Sequence, residues 1–177
     1  MSIKTRLAAN ILNSGGVISL PTDTVQGLSC LPFDHALIRL IELKQRSANK
    51  GLILLTSDIK YVETYVKDVE LLKQIKPTNT PTTYIIKASK NTSSLLLGGH
   101  DTVAIRLTNN QLIKDLCTMT RSALVSTSAN ISGQRTAKSV LKLRVYFKDQ
   151  LDYIIAPVET DVNPSAIVNL HTGEKLR

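Results

Sequence analysis

The residue types that can do chemistry in this chain gather in four short stretches. Ser126-Thr-Ser-Ala-Asn-Ile-Ser-Gly133 follows an apolar, β-branched run over residues 123–127 and brings hydroxyl and amide side chains together at a strand exit. Short polar side chains and backbone N–H groups converging ahead of a new helical pattern suit an anion such as a phosphate. The same residue types also form well-hydrogen-bonded turns for purely local reasons. Thr22-Asp-Thr-Val-Gln-Gly27 is a second polar strand exit, the position at which α/β proteins place binding groups, and Asp23 is the carboxylate there, able to orient a cation or an amine. Lys44, Arg46 and Lys50 set three cations within seven residues at the end of a helical pattern. The helix dipole favours cations there, and an anionic ligand would too. Arg106 lies within the apolar run 103–107. A guanidinium so placed needs either an internal carboxylate or a ligand carboxylate held through two parallel N–H groups.

Other chemistries have no foothold. His35, His100 and His171 lack metal-ligand spacing, so no metal site within the protein is expected, and neither G-x-x-x-x-G-K-[ST] nor G-x-G-x-x-G occurs. Ser126 and Ser128 are outside the G-x-S-x-G setting of a hydrolase nucleophile. The residues therefore point to an anion-binding α/β protein that uses hydroxyls and cations rather than a covalent nucleophile.

The elements that must position these groups follow from periodicity. Ser2 caps a helix with Ile3, Leu7, Ile11 and Leu12 inward, closed by Gly15-Gly16, and residues 17–20 form a buried strand stopped by Pro21. Asp34 caps a second helix carrying Ala36, Leu37, Leu40, Ile41 and Leu43, and a strand over 52–55 comes after Gly51. A third helix runs through Ile59, Val62 and Val66 into 69–72, with Ile75 beyond. Strands follow at 82–86 and 102–107, separated by a polar loop (87–101) with a short apolar element at 95–97. Asn109 or Asn110 caps a helix through Leu112, Ile113, Leu116 and Cys117, and a further helix spans about 136–147. A strand at 151–155, an extended segment at 165–170 and a turn at 171–173 complete the pattern. Some strands are joined by short connections, so the expected fold is a twisted mixed sheet, parallel and antiparallel, flanked by helices.

The 177 residues fit one domain, with 42% hydrophobic and 20% charged residues, an ordinary globular balance. Two cysteines without close spacing argue against a disulfide framework and suit a reducing compartment. No signal-peptide pattern or bilayer-length apolar run is present, so a cytoplasmic location with no membrane association is expected. The formal net charge of +8 favours polyanionic partners such as nucleic acid or nucleotide, while the scarcity of aromatics argues against a stacking platform for single strands.

Taken together, Pro21-Thr-Asp-Thr-Val-Gln-Gly-Leu28, Leu43-Lys-Gln-Arg46 with Lys50-Gly-Leu-Ile53, Val103-Ala-Ile-Arg106, the 126–133 motif and Pro164-Ser-Ala-Ile-Val168 resemble the YrdC/TsaC family of threonylcarbamoyl-AMP synthases. The five motifs stand in the family's order and span residues 21–168. The resemblance implies a YrdC-like fold with a positively charged concave surface, in one domain over 1–177. It implies synthesis of L-threonylcarbamoyl-AMP and pyrophosphate from L-threonine, bicarbonate or carbon dioxide, and ATP accompanied by Mg2+. The product would serve threonylcarbamoyladenosine formation beside the anticodon of tRNA, through the bacterial tRNA threonylcarbamoyltransferase complex.

Carried over by motif, Lys44 and Arg46 (the family's Lys-x-Arg) with Ser128 and Asn130 (its Ser-x-Asn) would surround the nucleotide, and Lys50 would face the phosphates. Thr24 would contact threonine and Arg106 would hold its carboxylate, which makes Lys50 and Arg106 the expected catalytic pair. Two positions depart from the family's pattern: Gln26 stands where Tyr is common, and Ser47 where Pro is common. Gln26 would alter a contact beside the threonine pocket, and Ser47 would loosen the loop after Arg46. Two other readings remain open at this level: a non-catalytic tRNA- or rRNA-binding module, and carbamoyl transfer of the kind found in hydrogenase maturation.

Overall fold

The computed structural model describes residues 2–78, 80–158 and 165–176. The strands among them are β1 (Ile18–Pro21), β2 (Gln26–Cys30), β3 (Ile53–Thr56), β4 (Thr82–Lys87), β5 (Thr102–Leu107), β6 (Leu124–Ser128), β7 (Tyr153–Ile154) and β8 (Ala166–Asn169). They form one sheet in the order β7-β1-β2-β6-β3-β5-β4-β8. β1/β7, β3/β5 and β4/β8 pair parallel, and the other four neighbours pair antiparallel, so the sheet is mixed as expected.

Side chains alternate across such a sheet, and the register sorts them into two faces. Cys30, Val125, Leu54 and Ile105 stand in line across β2, β6, β3 and β5, on the same side as the core residues of α2 (Asp34–Leu43), α4 (Ser94–Leu97) and α6 (Val140–Phe147). Ile18, Leu20, Leu55 and Leu124 point the other way, into a second core formed with α1 (Ile3–Asn13) and α5 (Gln111–Thr120). These two helices cover one end of their face. Beyond Leu55 the same face carries Ile53, Ser126, Gly27, Ala104 and Arg106, and here it opens into cavities.

The structure departs from the periodicity in three informative places. α1 is capped by Ser2, whose side chain accepts from the Thr5 N–H, but its inward residues are Thr5, Ala8, Ala9 and Leu12. Ile3 is 82% and Leu7 45% exposed. The helix packs along α5, and the small Ala8 and Ala9 at that contact allow close approach, which outweighs the pull of the larger side chains.

The long third helix is broken into two 3₁₀ turns (Ile59–Tyr61 and Glu63–Tyr65) and the single turn α3 (Val69–Leu72). Val66 interrupts it, being extended and bridged to Ala88, while Asp58 and Asp68 each start a separate turn by accepting a backbone N–H. The helix after the polar motif starts only at Val140, capped by Ser139, so residues 129–138 are loop. The phosphate site at a helix N-terminus is thereby ruled out for Asn130 and its neighbours.

β2 carries no strand signature of its own. Its sequence, Gln-Gly-Leu-Ser-Cys, lacks β-branched residues, yet every residue is buried because strands pair with it on both edges. The 22–25 turn is therefore the tip of a β1–β2 hairpin, closed by Thr22, whose N–H and hydroxyl both donate to the Val25 carbonyl.

The inward face of α1 is directly testable. Leu12→Ala should cost about 2–5 kcal/mol of stability in urea unfolding, with Leu7→Ala well under that. Equal losses would restore the periodicity-based face.

Candidate functional site

Two adjoining cavities lie on the open sheet face, of about 320 Å3 and about 290 Å3. Arg46, Ile53, Ser126 and Thr127 line both, so they form two halves of one cleft, of the size range in which small-molecule sites fall. The halves differ chemically. The first is walled by the hydroxyls of Thr22, Thr24, Ser126, Ser128, Thr136 and Ser165 together with the two guanidinium groups of Arg46 and Arg106. The second has an apolar floor of Ile53, Ile85, Ala104 and Ile167 and a rim that includes Thr102 and His100. A larger cavity of about 880 Å3 opens beyond β4 and touches Ile85 and Thr102. Of its lysines Lys67 and Lys87, the second is held by Asp101 at 2.7 Å, and Thr102 is the one hydroxyl residue in its lining among the described residues, so the cleft is the better site.

Arg106 is 8% exposed and anchors the first half. Its Nε donates to Thr83 Oγ1 (3.2 Å), Nη1 to Asp23 Oδ1 (3.1 Å) and Thr24 Oγ1 (3.0 Å), and Nη2 to Ser165 Oγ (3.2 Å). Thr83 and Ser165 also bond each other at 2.9 Å. The internal salt bridge and the ligand-facing position thus hold together. At least four of the five guanidinium N–H groups are engaged, so a ligand carboxylate gripping two of them must displace Asp23 or a hydroxyl.

Arg46 reaches back to the loop behind it, donating from Nε to the Lys50 carbonyl (3.2 Å) and from Nη2 to the Gly51 carbonyl (2.8 Å). Burial lowers its pKa from the ordinary arginine value. Lys50 itself is exposed and stands outside both cavity walls, so the cation expected against the phosphates is on the surface of the loop beside them. Ser47 is bonded within that loop: its Oγ accepts from the Asn49 N–H and its carbonyl from the Lys50 N–H.

Lys44 and Asn130 also depart from their expected place against the nucleotide. Lys44 is 3% exposed and lines neither cavity. Its Nζ donates to the Ser128 and Asn130 carbonyls (2.6 and 3.1 Å), Ser128 Oγ (3.1 Å) and Asn130 Oδ1 (2.8 Å). Asn130 turns inward as well, its amide donating to the Ile131 and Gln134 carbonyls. The backbone N–H groups of Ala129, Asn130 and Ser132 are spent on Gln26, Ser128 and Lys44 carbonyls, so these three are not free for an anion. Ser128 and Thr24 line the first half of the cleft.

Gln26 pairs with Pro21 on the face opposite the cleft, where its amide donates to Ser19 Oγ and the Ile155 carbonyl. Its Oε1 is a buried acceptor with no partner among the described residues. The departure at this position therefore acts on the β1–β7 edge, not on a pocket contact. Residues that the motif reading left out of the site are Ser126, Thr136, Thr83, Thr102, His100 and Ser165. Alternation along β6 was the available signal for Ser126, two residues before Ser128. The motif residue Pro164 lies outside the described residues.

Comparison with known proteins gives this geometry a context. Residues 10–177 match the Sua5/yciO/yrdC family, described as "Telomere recombination". The chain is 35% identical over 181 residues to a threonylcarbamoyl-AMP synthase of Pseudomonas aeruginosa, covering 99% of this chain and 97% of that one. A threonylcarbamoyl-AMP synthase of Acinetobacter baumannii is 37% identical over 180 residues, covering 96% and 95%. Among solved structures, P. abyssi Sua5 complexed with L-threonine superposes with a TM-score of 0.84 at 26% identity. The superposition covers 97% of this chain but only 52% of that one, so the chain spans about half the length of that relative.

Lys44 gives a pH signature. Burial, and then the nearby Arg46 charge, lower its pKa from 10.5 to about 8. Between those values the unfolded chain binds more protons than the folded one, so stability rises as pH climbs through the window. The penalty is fully present below about 8. Urea unfolding of wild type and Lys44→Met from about pH 7 to 10.5 should show wild type gaining on the variant as pH rises. A pH-independent difference would mean that the ammonium is not desolvated.

Proposed function

This chain belongs to the Sua5/yciO/yrdC family, and from that premise we propose that it is a threonylcarbamoyl-AMP synthase working in the cleft described above. The observation that supports this placement is the convergence of Arg46 and Arg106, from distant parts of the chain, on a pocket walled by hydroxyls. The reaction consumes L-threonine, bicarbonate or carbon dioxide, and ATP. A carbamate forms on the threonine nitrogen, and its oxygen then attacks the α-phosphorus. The bond from that phosphorus to the β-phosphate bridging oxygen breaks, and pyrophosphate leaves with the electron pair. Such a step needs alignment and charge neutralisation, not a covalent enzyme intermediate.

The two halves of the cleft divide the substrates. Threonine occupies the hydroxyl-walled half, its carboxylate on Arg106, where it competes with Asp23 and Ser165 for N–H groups, and with Thr24 alongside. The adenosine lies over the apolar floor of the other half, where His100 is the aromatic ring among the lining residues and offers a face for the base. Arg46, which lines both halves, meets the phosphates between them, with Ser128 at the wall and Lys50 reaching in from the loop. Mg2+ enters as part of MgATP. The lining residues offer hydroxyls and guanidinium groups but no carboxylate, so the ion's ligands would be phosphate oxygens and water.

A single domain suffices for this chemistry. The product passes to the tRNA threonylcarbamoyltransferase machinery, which sets the reaction in the cytoplasm. No described helix is long and apolar enough to cross a membrane.

Pyrophosphate release from MgATP and bicarbonate should require L-threonine and yield threonylcarbamoyl-AMP by mass spectrometry, with L-serine as the control. Folded protein that binds RNA but releases no pyrophosphate would favour the RNA-binding alternative. Arg46→Ala should lower turnover by about 10²–10³-fold, as removal of a charge-stabilising donor does. Arg106→Lys keeps the charge but loses the fork, and should lower kcat/KM for threonine by about 10–100-fold. His100→Ala should raise the KM for ATP with kcat little changed, and His100→Phe should restore it. An unchanged KM in His100→Ala, or no recovery in His100→Phe, would remove the base from that ring.

A further inference from the structure

Lys44 has every N–H engaged, yet it lines neither half of the cleft, and this sets what it can do. An ammonium has three N–H groups, and four oxygens stand within 2.6–3.1 Å of Nζ, all from Ser128 and Asn130. No donor is left over for a phosphate. The surrounding bonds form one directed network. Ser128 Oγ donates to Asn130 Oδ1 at 2.7 Å, and that oxygen also accepts from Lys44. The Asn130 amide is turned by its two carbonyl acceptors, which fixes its oxygen toward Lys44. The Lys44 carbonyl in turn accepts the Ser132 N–H at 2.9 Å, so the end of α2 grips the loop by side chain and main chain together.

The consequence reaches the cavity through Ser128. Its hydroxyl hydrogen is committed to Asn130, and one oxygen lone pair faces the Lys44 ammonium. What remains toward the cavity is acceptor capacity only. We propose that Lys44 is a positioning residue, touching neither substrate: it fixes the 128–132 loop and orients the Ser128 hydroxyl so that it accepts a hydrogen bond from a donor on the bound substrate, a ribose hydroxyl or the threonine amine. This assignment rests on the synthase reading above and deepens it.

The alternative is that Lys44 swings out to contact phosphate. That would leave two buried carbonyls and the Asn130 oxygen without their cation in a site that is 3% exposed.

The test combines hydrogen exchange with a double-mutant cycle. In Lys44→Met, without any substrate, the amides of residues 129–132 should exchange faster than in wild type and faster than in Arg46→Met. Unchanged exchange overturns the clamp whether or not the protein is a synthase. In the cycle, Lys44→Met and Ser128→Ala should each lower kcat/KM by about 10–100-fold, the size of loss seen when the support of a ligand is removed. The double variant should be little worse than the worse single, because the two act as one unit. Lys44→Arg, which keeps a cation but cannot place it on the same four oxygens, should recover less than half of the loss.

Multiplying losses, or a Lys44→Met whose only defect is a raised KM for ATP, would make Lys44 a direct phosphate ligand and overturn the proposal. If neither Lys44 variant folds, Ser128→Ala decides alone, since wild-type kinetics there leave Lys44 nothing to act through. Wild type with no threonine-dependent pyrophosphate release sinks the synthase reading instead, and the exchange result then still judges the clamp.

Discussion

A guanidinium buried in the wall of a sheet has to be answered on every side, and the architecture around Arg106 is that answer. An unpaired charge in such a place costs several kcal/mol, and breaking a buried pair costs roughly 3–5 kcal/mol. Here the neighbours that offset the cost come from three separated segments: Asp23 and Thr24 from the β1–β2 hairpin tip, Thr83 from β4, and Ser165 from the entry to β8. The hairpin tip and β4 are far apart in the sheet order, so the cation draws together parts that strand pairing alone does not join. The cavity wall and the means of stabilising it are the same set of bonds. A ligand carboxylate that replaces Asp23 on Arg106 would therefore loosen the hairpin tip as it binds, and one that replaces Ser165 would loosen the entry to β8.

The sheet supplies the rest by alternation and by close approach. Gly27 faces the cleft at a point where an added Cβ would meet Ser126 Oγ at 3.0 Å and Thr22 Cγ2 at 3.1 Å. A side chain there would press on the hydroxyl wall, so glycine is what lets two strands carry their polar groups so near each other. The antiparallel run from β2 through β6 to β3 puts Gly27 opposite Ser128, and Ser126 opposite Ile53. Polar and apolar halves of the cleft thus meet on neighbouring residues. The change from hydroxyl to aliphatic lining follows from which strand is reached, with β6 hydroxyl-rich and β3, β4 and β5 supplying the apolar floor.

Much of this could be read from residue order, and the failures share a cause. The strands β3, β4, β5 and β6 are legible because apolar β-branched runs between polar punctuation have few other uses. Arg106 stood out because its neighbours exclude water. Lys44 and Asn130 mark the limit of motif reading: the motif sets both against a nucleotide, while the fold turns both toward the loop behind the cavity wall. Residue type cannot separate a cation that faces a phosphate from one that clamps the loop behind it. That distinction depends on which way α2 ends relative to β6. β2 escaped notice because its strand character comes from its neighbours' backbones. The cleft residues Thr83, Thr102 and His100 were invisible for a similar reason, since only the pairing of β4 with β5 brings them beside Arg46.

The charge of the chain and the charge of the cleft are different matters. The formal excess of +8 suggested an anionic partner, yet the cleft contributes little of it. Of the two guanidinium groups lining the first half, Arg106 is paired with Asp23; the ammonium of Lys44 lies behind the wall. Arg46 is left as the cation whose charge faces the ligand without a carboxylate bonded to it among the described residues. A good part of the surplus stands on the surface instead, where Arg135, Lys138, Lys142, Arg144 and Lys148 are all exposed along α6 and the loop before it. Surface charge of that kind acts over a Debye length of about 8–10 Å and is screened by salt, whereas Arg46 acts in partial burial where screening is weak. On the proposed reading, drawing a polyanion toward the protein and stabilising charge on a transferring phosphorus would be separate tasks, falling to different residues.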